Sequence, residues 1–521
     1  MNNDLARLNL DHPMLTPSGL RDAVEQLLLS DRARFDRLWA YYQNPLRIQL
    51  SQDSTSARPY RQGQEWGLPA RVTGSIAGAN IFDARELPGV ARKEVVIEND
   101  IGWRIDTAVD FLFGRPVILN SNAPAEARRD TIEALLRAIL ARNGGLAFLQ
   151  QLALLGAVYG SVDVLVKLTP DDADGATCSR QDLGQPATLD NTVLNPADDS
   201  AIPGPSDIDR LARRVRFEIV EPARSLSILN ERDCTRLAAF ATVYQVPRST
   251  QPIDPAAKNW LARWFQKEPP IDRERATVVE MVTKTHWQKY EDSRLLAEGE
   301  NALGRLPLVH VQNTPDPLSY TGIGDVEPLL PLQDELNTRL SDRAHRIAMT
   351  SFRMYLGRGI ENFTDLPISP GQMWSTDNLE ASVVEFGGDG GSPSEDAHIA
   401  DVREAMDKLS GVSPIAAGAI KGKVGRLTSA AALRVTMMAL LSRTERRRII
   451  YGAAIAQLCE LALAWLDKAS LFPTTESERG IDIHWSNPIP VNESERLEEA
   501  RLKQALGVPT PVVLRELGYE P

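Results

Sequence analysis

Apolar residues return every three or four positions over long stretches of this chain, and every second position over a few short ones. Between residues 18 and 42, Leu20, Val24, Leu27, Leu28, Phe35 and Leu38 keep helical spacing, and Asn44-Pro45 ends the run. A polar stretch with Gly, Ser and Arg reaches to about residue 88 and predicts an extended arm or surface loops. Val95, Ile101, Ile105, Val109 and Leu112 then predict one long helix across 89–117, closed by Gly114 and Pro116. Two more helices are predicted at about 124–142 and 145–160. Strict alternation in "SVDVLVKL" (161–168) predicts a strand after them. Residues 169–212 are rich in Asp, Pro, Ser and Asn and read as a surface insertion. Strand patterns follow at 213–221, 237–246, 276–285 and 306–313. The first 315 residues therefore predict an α+β body, with mixed helices and antiparallel strands rather than a regular βαβ alternation.

From residue 320 the pattern changes. A helix is predicted over about 324–350, with Pro328 and Pro331 in its opening turns, where proline does least harm. Val326, Leu329, Leu330, Leu336, Leu340, Ala344 and Ile347 form its apolar stripe, while Asp334, Glu335, Arg339, Asp342, Arg343 and Arg346 occupy other faces. Two short strands, "FRMYLGRG" and "ASVVEF", flank a turn-rich middle within 351–396. A helix at 397–411 leads to a Gly-rich loop, and an uninterrupted helical pattern over 429–468 predicts a rod roughly 60 Å long. A short strand, a charged helix at 492–506 and a last short helix end the chain. A compact enzyme has no need of so long a helix.

Charge bears on that reading. The chain of 521 residues carries a formal net charge of −12, so it is not built to coat nucleic acid tightly. Cys178, Cys234 and Cys459 lie far apart, which excludes a CxxC zinc site or a disulfide framework and fits a reducing cytoplasm. The first residues lack the basic-then-apolar order of a signal peptide. The most apolar window, 449–466, has Gln457 and Glu460 near its middle and reads as a buried or oligomer-facing helix rather than a membrane span. The run "RTERRRI" (443–449) reads as a solvated or intersubunit helix face.

Candidate chemistry centres on "SPIAAGAIKGKVGRLTSAAALRV" (413–435). The segment imitates a phosphate-binding loop but fails its requirements. Gly418 and Gly422 enclose three residues instead of four, Val424 stands where a metal-binding hydroxyl belongs, and no buried strand precedes it. Residues 414–428 instead carry Lys421, Lys423 and Arg426 with no acidic residue, among small residues and glycines that keep the backbone free. Such a loop suits brief, sequence-blind contact with phosphates, the plain alternative being a solvated loop. "DDADG" (171–175) lacks the first and last ligands of a calcium loop. His12, His286, His310, His345, His398 and His484 are scattered, and no nucleophile motif occurs.

Several stretches together carry a resemblance. "ARKEVVIENDIGWRIDTAVDFLFGRPV", "LPLVHVQN" followed by "GDVEPLLPLQDELNTRLSDRA", and "IDIHWSNPIPVNESERLEEARLKQALGVPTPVVLRELG" resemble the portal proteins of tailed bacteriophages, the head-to-tail connectors. The likeness runs from about residue 90 to 517. It implies a ring, usually of twelve subunits, at one capsid vertex, with no enzymatic activity and no cofactor or metal. On this resemblance 1–88 is an N-terminal helix and arm, 89–319 an α+β wing, 320–350 and 397–412 the two stem helices, and 351–396 a small α/β clip. Residues 413–428 are then the tunnel loop, 429–470 the long spine helix and 471–521 a short helical crown.

The resemblance also implies roles. Lys421, Lys423 and Arg426 would touch double-stranded DNA without reading its sequence. Asp334, Glu335, Arg339, Asp342, Arg343, Arg346, Arg403 and Lys408 would line the channel or meet a neighbouring subunit. Arg353, Arg358, Met373 and Trp374 in the clip would meet the large terminase subunit and later a head–tail adaptor. Scaffolding and major capsid proteins are the other implied partners, in the host cytoplasm during assembly and then in the virion, with no membrane. Two rivals remain: another head–tail connector or oligomeric scaffold, and a DNA translocase or nuclease with a degenerate site.

Overall fold

A computed structural model describes residues 17–27, 31–48, 60–78, 81–90, 92–169, 204–230, 233–247, 275–292, 294–317, 319–350, 354–359, 378–386, 393–416, 435–488 and 493–517. It mixes helices with antiparallel sheets, as the α+β reading requires. Its helices are α1 (Pro17–Gln26), α2 (Arg32–Gln43), α3 (Ala70–Thr73), α4 (Asp100–Phe113), α5 (Glu126–Arg142), α6 (Gly145–Tyr159), α7 (Pro205–Arg214), α8 (Leu330–Thr350), α9 (Pro393–Ser410), α10 (Met438–Lys468), α11 (Glu493–Ala505) and α12 (Thr510–Leu517). The chain forms two compact units, one of residues 1–35, 106–324 and 427–521, the other of 36–105 and 325–426.

The first unit is built on sheets. Strands β8 (Ser225–Asn230), β9 (Asp233–Pro247), β10 (Arg275–Thr283), β11 (His286–Glu291) and β12 (Arg294–Glu300) form one antiparallel sheet in sequence order. A second has β6 (Ser161–Leu168) between β7 (Val215–Val220) and β13 (Leu308–Gln312). Leu165, Val220 and Phe240 join the two sheets in one apolar cluster. Beside it a charged network crosses both sheets. Glu280 on β10 accepts from Tyr244 Oη at 2.7 Å and Lys289 Nζ at 2.8 Å, and Lys167 on β6 lies 2.7 Å from Glu218 on β7. Three of these strands, β8, β11 and β12, are additions to the strands that alternation predicts.

Helix α10 is the core of this unit. Its 31 residues span about 46 Å. Tyr451, Ile455, Leu458, Cys459, Ala462, Leu463 and Leu466 are buried on successive turns. It is long and apolar enough to cross a membrane, and most of its apolar window is spent inside the protein. Glu460 reaches outward to Arg305, 2.7 Å away, which is how the helix tolerates a charge near its middle. Trp465 Nε1 donates to the Val166 carbonyl at 2.9 Å, and the Phe113 ring meets those of Tyr451 and Trp485. The arginine run at its start is not simply a solvated face. Arg447 and Arg448 are buried, Arg448 over the Trp485 ring and donating to the Ser486 carbonyl, while Ile449 is exposed. The guanidinium can enter the interior because its two terminal nitrogens find acceptors, Nη1 on Glu445 at 2.9 Å and Nη2 on the Ser486 carbonyl at 2.6 Å.

Part of the expected insertion, 169–212, is also structured. Helix α7 opens with Pro205 at its first position, buries Leu211 and Ala212, and is tied to α5 by Arg142 and Asp209 at 2.8 Å. The rest of that insertion, 170–203, lies outside the described residues.

The second unit departs furthest from the sequence expectation. Among the described residues, 44–48, 60–78 and 81–88 form short strands and turns rather than an arm. They contain β1 (Leu46–Ile48) paired with β2 (Tyr60–Gln62), a 3-10 turn over Gly63–Gly67, α3, and β3 (Ser75–Ile76) paired with β4 (Arg85–Glu86). Their polar side chains face inward because they satisfy one another. Glu65 is fully buried and accepts from Arg92 at 2.6 Å and from the Gln62 amide at 2.9 Å. Leu68, Val72 and Val95 form a small apolar cluster beside them.

The expected helix over 89–117 is shorter, Asp100–Phe113. Residues 92–99 carry no helix, and side chains of α8 take their backbone groups. Ser341 Oγ accepts from the Val96 amide at 3.0 Å, Asn337 Oδ1 from the Glu98 amide at 3.0 Å and Gln333 Oε1 from the Ile101 amide at 3.2 Å. Asn99 then caps α4, its Oδ1 accepting from the Gly102 amide. The β-branched run Val95-Val96-Ile97 suits extended backbone.

Candidate functional site

The charged residues singled out in the sequence gather on α8 and α9. Helix α8 follows a 3-10 turn at Glu327–Leu329, so the two prolines fall at its entry. Val326, Leu329, Leu336 and Leu340 are buried, whereas Ile347 at the far end is exposed. Helix α9 starts four residues before the expected boundary, at Pro393, with Glu395 and Asp396 in its first turn. Ile399, Val402 and Met406 are its buried stripe. Between the helices, β14 (Met354–Arg358) and β15 (Ser382–Phe386) pair as an antiparallel hairpin.

Two ion pairs and one histidine–carboxylate hydrogen bond join the two helices in antiparallel order. Arg346 pairs with Glu395, Arg343 with Asp396 at 2.8 Å, and Glu335 with His398 at 2.9 Å. Within α8, Arg339 lies 2.7 Å from Glu335, and Asp342 accepts from Arg71 Nη2 at 3.0 Å. Hydrogen bonds from Arg339 and Arg71 hold the Glu335 and Asp342 carboxyls below their usual range, against the pull of partial burial. Arg403 pairs with Glu98, and Lys408 with Glu404 at 2.7 Å. Asp334 turns to the interior of its own unit. Tyr41 Oη donates to it at 2.5 Å, and burial pushes its carboxyl up to about 6 against that bond and the Arg37 charge.

All eight of these residues thus have partners within their own unit. In the hairpin, Arg358 is exposed beside exposed Leu356, Val383 and Val384. Arg353, Met373 and Trp374 lie outside the described residues, as do Lys421, Lys423 and Arg426 and most of the loop that carries them.

Two features escaped the sequence reading. The first is the amide ladder Gln333–Asn337–Ser341, one residue per turn of α8, all buried. Gln64 completes it, donating to the Tyr41 carbonyl and to Asn99 Oδ1, both at 2.7 Å, and accepting from Asn337 Nδ2 at 2.9 Å. The signal was a spacing of four, hidden among the leucines of the same helix. The second is Arg104, 2% exposed, which donates to Asp407 and, at 2.8 Å, to the Val412 carbonyl. It fixes the backbone where α9 ends and the basic segment begins. Gly411, at φ 70°, makes the turn there, its amide donating to the Asp407 carbonyl at 2.8 Å.

Comparison with known families gives one match. The model described as "Phage portal protein, SPP1 Gp6-like" covers residues 212–518, more than half of the chain, including α8, the hairpin, α9 and α10. A search of curated proteins gives no match. The chain belongs to the SPP1 Gp6-like family of phage portal proteins. Members of that family are structural proteins rather than enzymes, homo-oligomeric rings at a capsid vertex of the virion.

Proposed function

We propose that this portal-family chain forms, as a dodecamer, the channel through which double-stranded DNA enters the capsid during packaging and later leaves it. Helices α8 and α9 are the stem of that channel, the β14–β15 hairpin is the core of the clip, residues 413–428 the tunnel loop, α10 the spine and α11 with α12 the crown. The sheet-based unit is the wing. The terminase docks on the clip during packaging, and a head–tail adaptor replaces it afterwards. The observation that carries the reading is the antiparallel helix pair, joined by two ion pairs and the Glu335–His398 hydrogen bond and closed at one end by a β-hairpin. In sequence it is followed by a segment with three cations and no acid.

The chemistry agrees. Most acidic and basic groups of the helix pair are neutralised by each other, so the wall offers phosphates no strong hold. Lys421, Lys423 and Arg426, repeated around a ring, would supply weak, salt-dependent and sequence-blind contacts at one level. Mass measurement of the purified oligomer with negative-stain images tests the assembly: a gear-like ring with a stalk and axial hole is expected. A solid or open assembly points instead to another connector component, and DNA-stimulated ATP hydrolysis to a translocase. Replacing the three cations by Ala together is expected to leave rings intact and lower the DNA content of capsids. Unchanged DNA content overturns the role of the loop.

A further inference from the structure

Asp163 and His310 face each other across the middle of the three-stranded sheet, as register partners on β6 and β13. Asp163 is 2% exposed, and His310 Nδ1 lies 2.8 Å from its Oδ1. The other ring nitrogen, Nε2, lies 2.7 Å from the Tyr320 carbonyl oxygen. The imidazole stacks on the Tyr320 ring, with centroids 3.8 Å apart. A carbonyl oxygen only accepts, so Nε2 must carry a proton and donate. A neutral imidazole with its proton on Nε2 has a bare lone pair at Nδ1, aimed at a carboxylate that also only accepts. Two acceptors do not share 2.8 Å in a buried site. A further proton must lie between them, either on Nδ1 or on the Asp163 carboxyl.

Among the described residues of the neighbouring strands, the nearby charges are engaged elsewhere. Burial acts to raise the Asp163 carboxyl, and the hydrogen bond and charge of His310 act to lower it. On β7 the residue opposite Asp163 is Val220, and the nearby Glu221 and Arg224 pair with each other at 2.6 Å. Lys167, further along β6, is taken by Glu218.

The clamp holds a specific piece of backbone. Tyr320 lies in the turn that ends the first unit, and the chain passes to the second at Gly324–Asp325. Gln312 Nε2 donates to the Ser319 and Tyr320 carbonyls at 2.8 and 2.9 Å, and the Ile323 amide donates to the Thr314 carbonyl. Gly160, Gly322 and Gly324 pack backbone on backbone beneath the turn.

We propose that Asp163 and His310 together trap one proton more than a neutral histidine beside a carboxylate, and that this proton fixes the crossover at Tyr320 and is released at alkaline pH. The native state binds this proton and the unfolded state gives it up above the ordinary histidine value of about 6.5. The clamp's contribution is therefore full below that value and lost as pH rises. This inference concerns the folded subunit and depends on neither a ring nor DNA.

Asp163→Asn is the discriminating variant. Its side-chain amide donates to Nδ1, so a neutral His310 can keep both hydrogen bonds. Hydrogen exchange of the amides in 319–324, corrected for intrinsic rates, is measured on the full chain at pH 6 and pH 9. Wild type is expected to lose at least about tenfold more protection over that interval than Asp163→Asn, one decade being 1.4 kcal/mol. Equal pH profiles overturn the proposal. If the variant does not fold, nitrogen NMR of histidine-labelled wild type and its carboxyl infrared band decide at pH 7. Either a doubly protonated His310 or a protonated Asp163 supports the trapped proton, and a singly protonated ring beside an ionised Asp163 overturns it.

Discussion

Asn337→Ala tests the amide ladder at its centre. Asn337 accepts from the Glu98 amide at 3.0 Å and from Gln333 Nε2 at 3.1 Å, and donates to Gln64 Oε1 at 2.9 Å. Truncation leaves two groups without partners, the part-buried Glu98 N–H and the buried Gln64 Oε1. Gln333 Nε2 keeps the Glu98 carbonyl at 2.7 Å. Gln64 cannot turn over to compensate, since its Nε2 is already held by the Tyr41 carbonyl and Asn99. Each stranded group costs about 1–3 kcal/mol, so the loss is about 2–4 kcal/mol after some relaxation. Where the Glu98 amide exchanges by local opening, that loss speeds its exchange roughly 30- to 900-fold. The assay is hydrogen exchange over 92–101 at fixed subunit concentration, because association shifts apparent stability. Ser341→Ala, which removes the acceptor of the Val96 amide, is expected to act in the same direction and less strongly. A Glu98 amide exchanging within threefold of wild type in Asn337→Ala would refute the idea that α8 side chains hold this segment.

Three further outcomes follow from the same physics. Asp334 is pushed up to about 6, above its usual value, so its ionisation costs stability above pH 6 and that cost fades as pH falls toward 4; Asp334→Asn is expected to stabilise the second unit by about 2–3 kcal/mol at pH 8 and hardly at all at pH 4, read from urea midpoints, and destabilisation at pH 8 contradicts it. Burial acts to raise Glu280, but the Lys167 charge and the bonds from Lys289 and Tyr244 outweigh it and hold the carboxyl at about 2. The stability it contributes is present above pH 4.5 and lost as pH falls toward 2, so Glu280→Gln should cost about 1–2 kcal/mol at pH 7, after allowing for solvent screening, and flatten the acid limb of the stability curve. Gly160→Ala meets both a φ of 93° and backbone atoms of Gly322 and Gly324 at 2.9 Å; a loss of about 3 kcal/mol or more is expected in thermal unfolding, and an unchanged midpoint disproves the close packing.

The parts of this fold that were legible in the sequence are those where local pattern and burial agree. In α10, apolar residues at helical spacing are buried at helical spacing; "SVDVLVKL" was legible as a strand from its alternation, although β6 is buried on both faces from Ser161 to Val166. The two helices around the hairpin were legible for the same reason as α10, and the hairpin from alternation alone, since Leu356, Val383 and Val384 are exposed. The misread parts are those where polarity does not mean solvent. Arg61, Gln64, Glu65, Arg104, Gln333 and Asn337 are polar and buried, each with at least one partner well outside its own helical turn, such as Arg92 for Glu65, Asp407 for Arg104 and Gln64 for Asn337. The stretch 92–99 looked helical because Val95 falls in the spacing of Ile101, Ile105, Val109 and Leu112, yet two of its amides are taken by side chains more than two hundred residues later.

That difference bears on how the proposed channel would be held. An apolar seam between α8 and residues 94–101 would resist separation but would tolerate sliding, because methyl groups have no preferred partner. The polar seam has one. From Ile101 back to Glu94 it meets Gln333, Asn337, Ser341 and His345 in turn, one residue for each turn of helix. A shift of α8 by one turn would set Asn337 against the Ile101 amide and remove the acceptor from the Val96 amide, unless His345 supplied one. Each mismatch carries the cost of a buried unpaired group, so the seam fixes register more firmly than it fixes stability. A helix lining a conduit for DNA needs that property, since the moving duplex pulls along the axis, the direction in which an apolar contact is weakest.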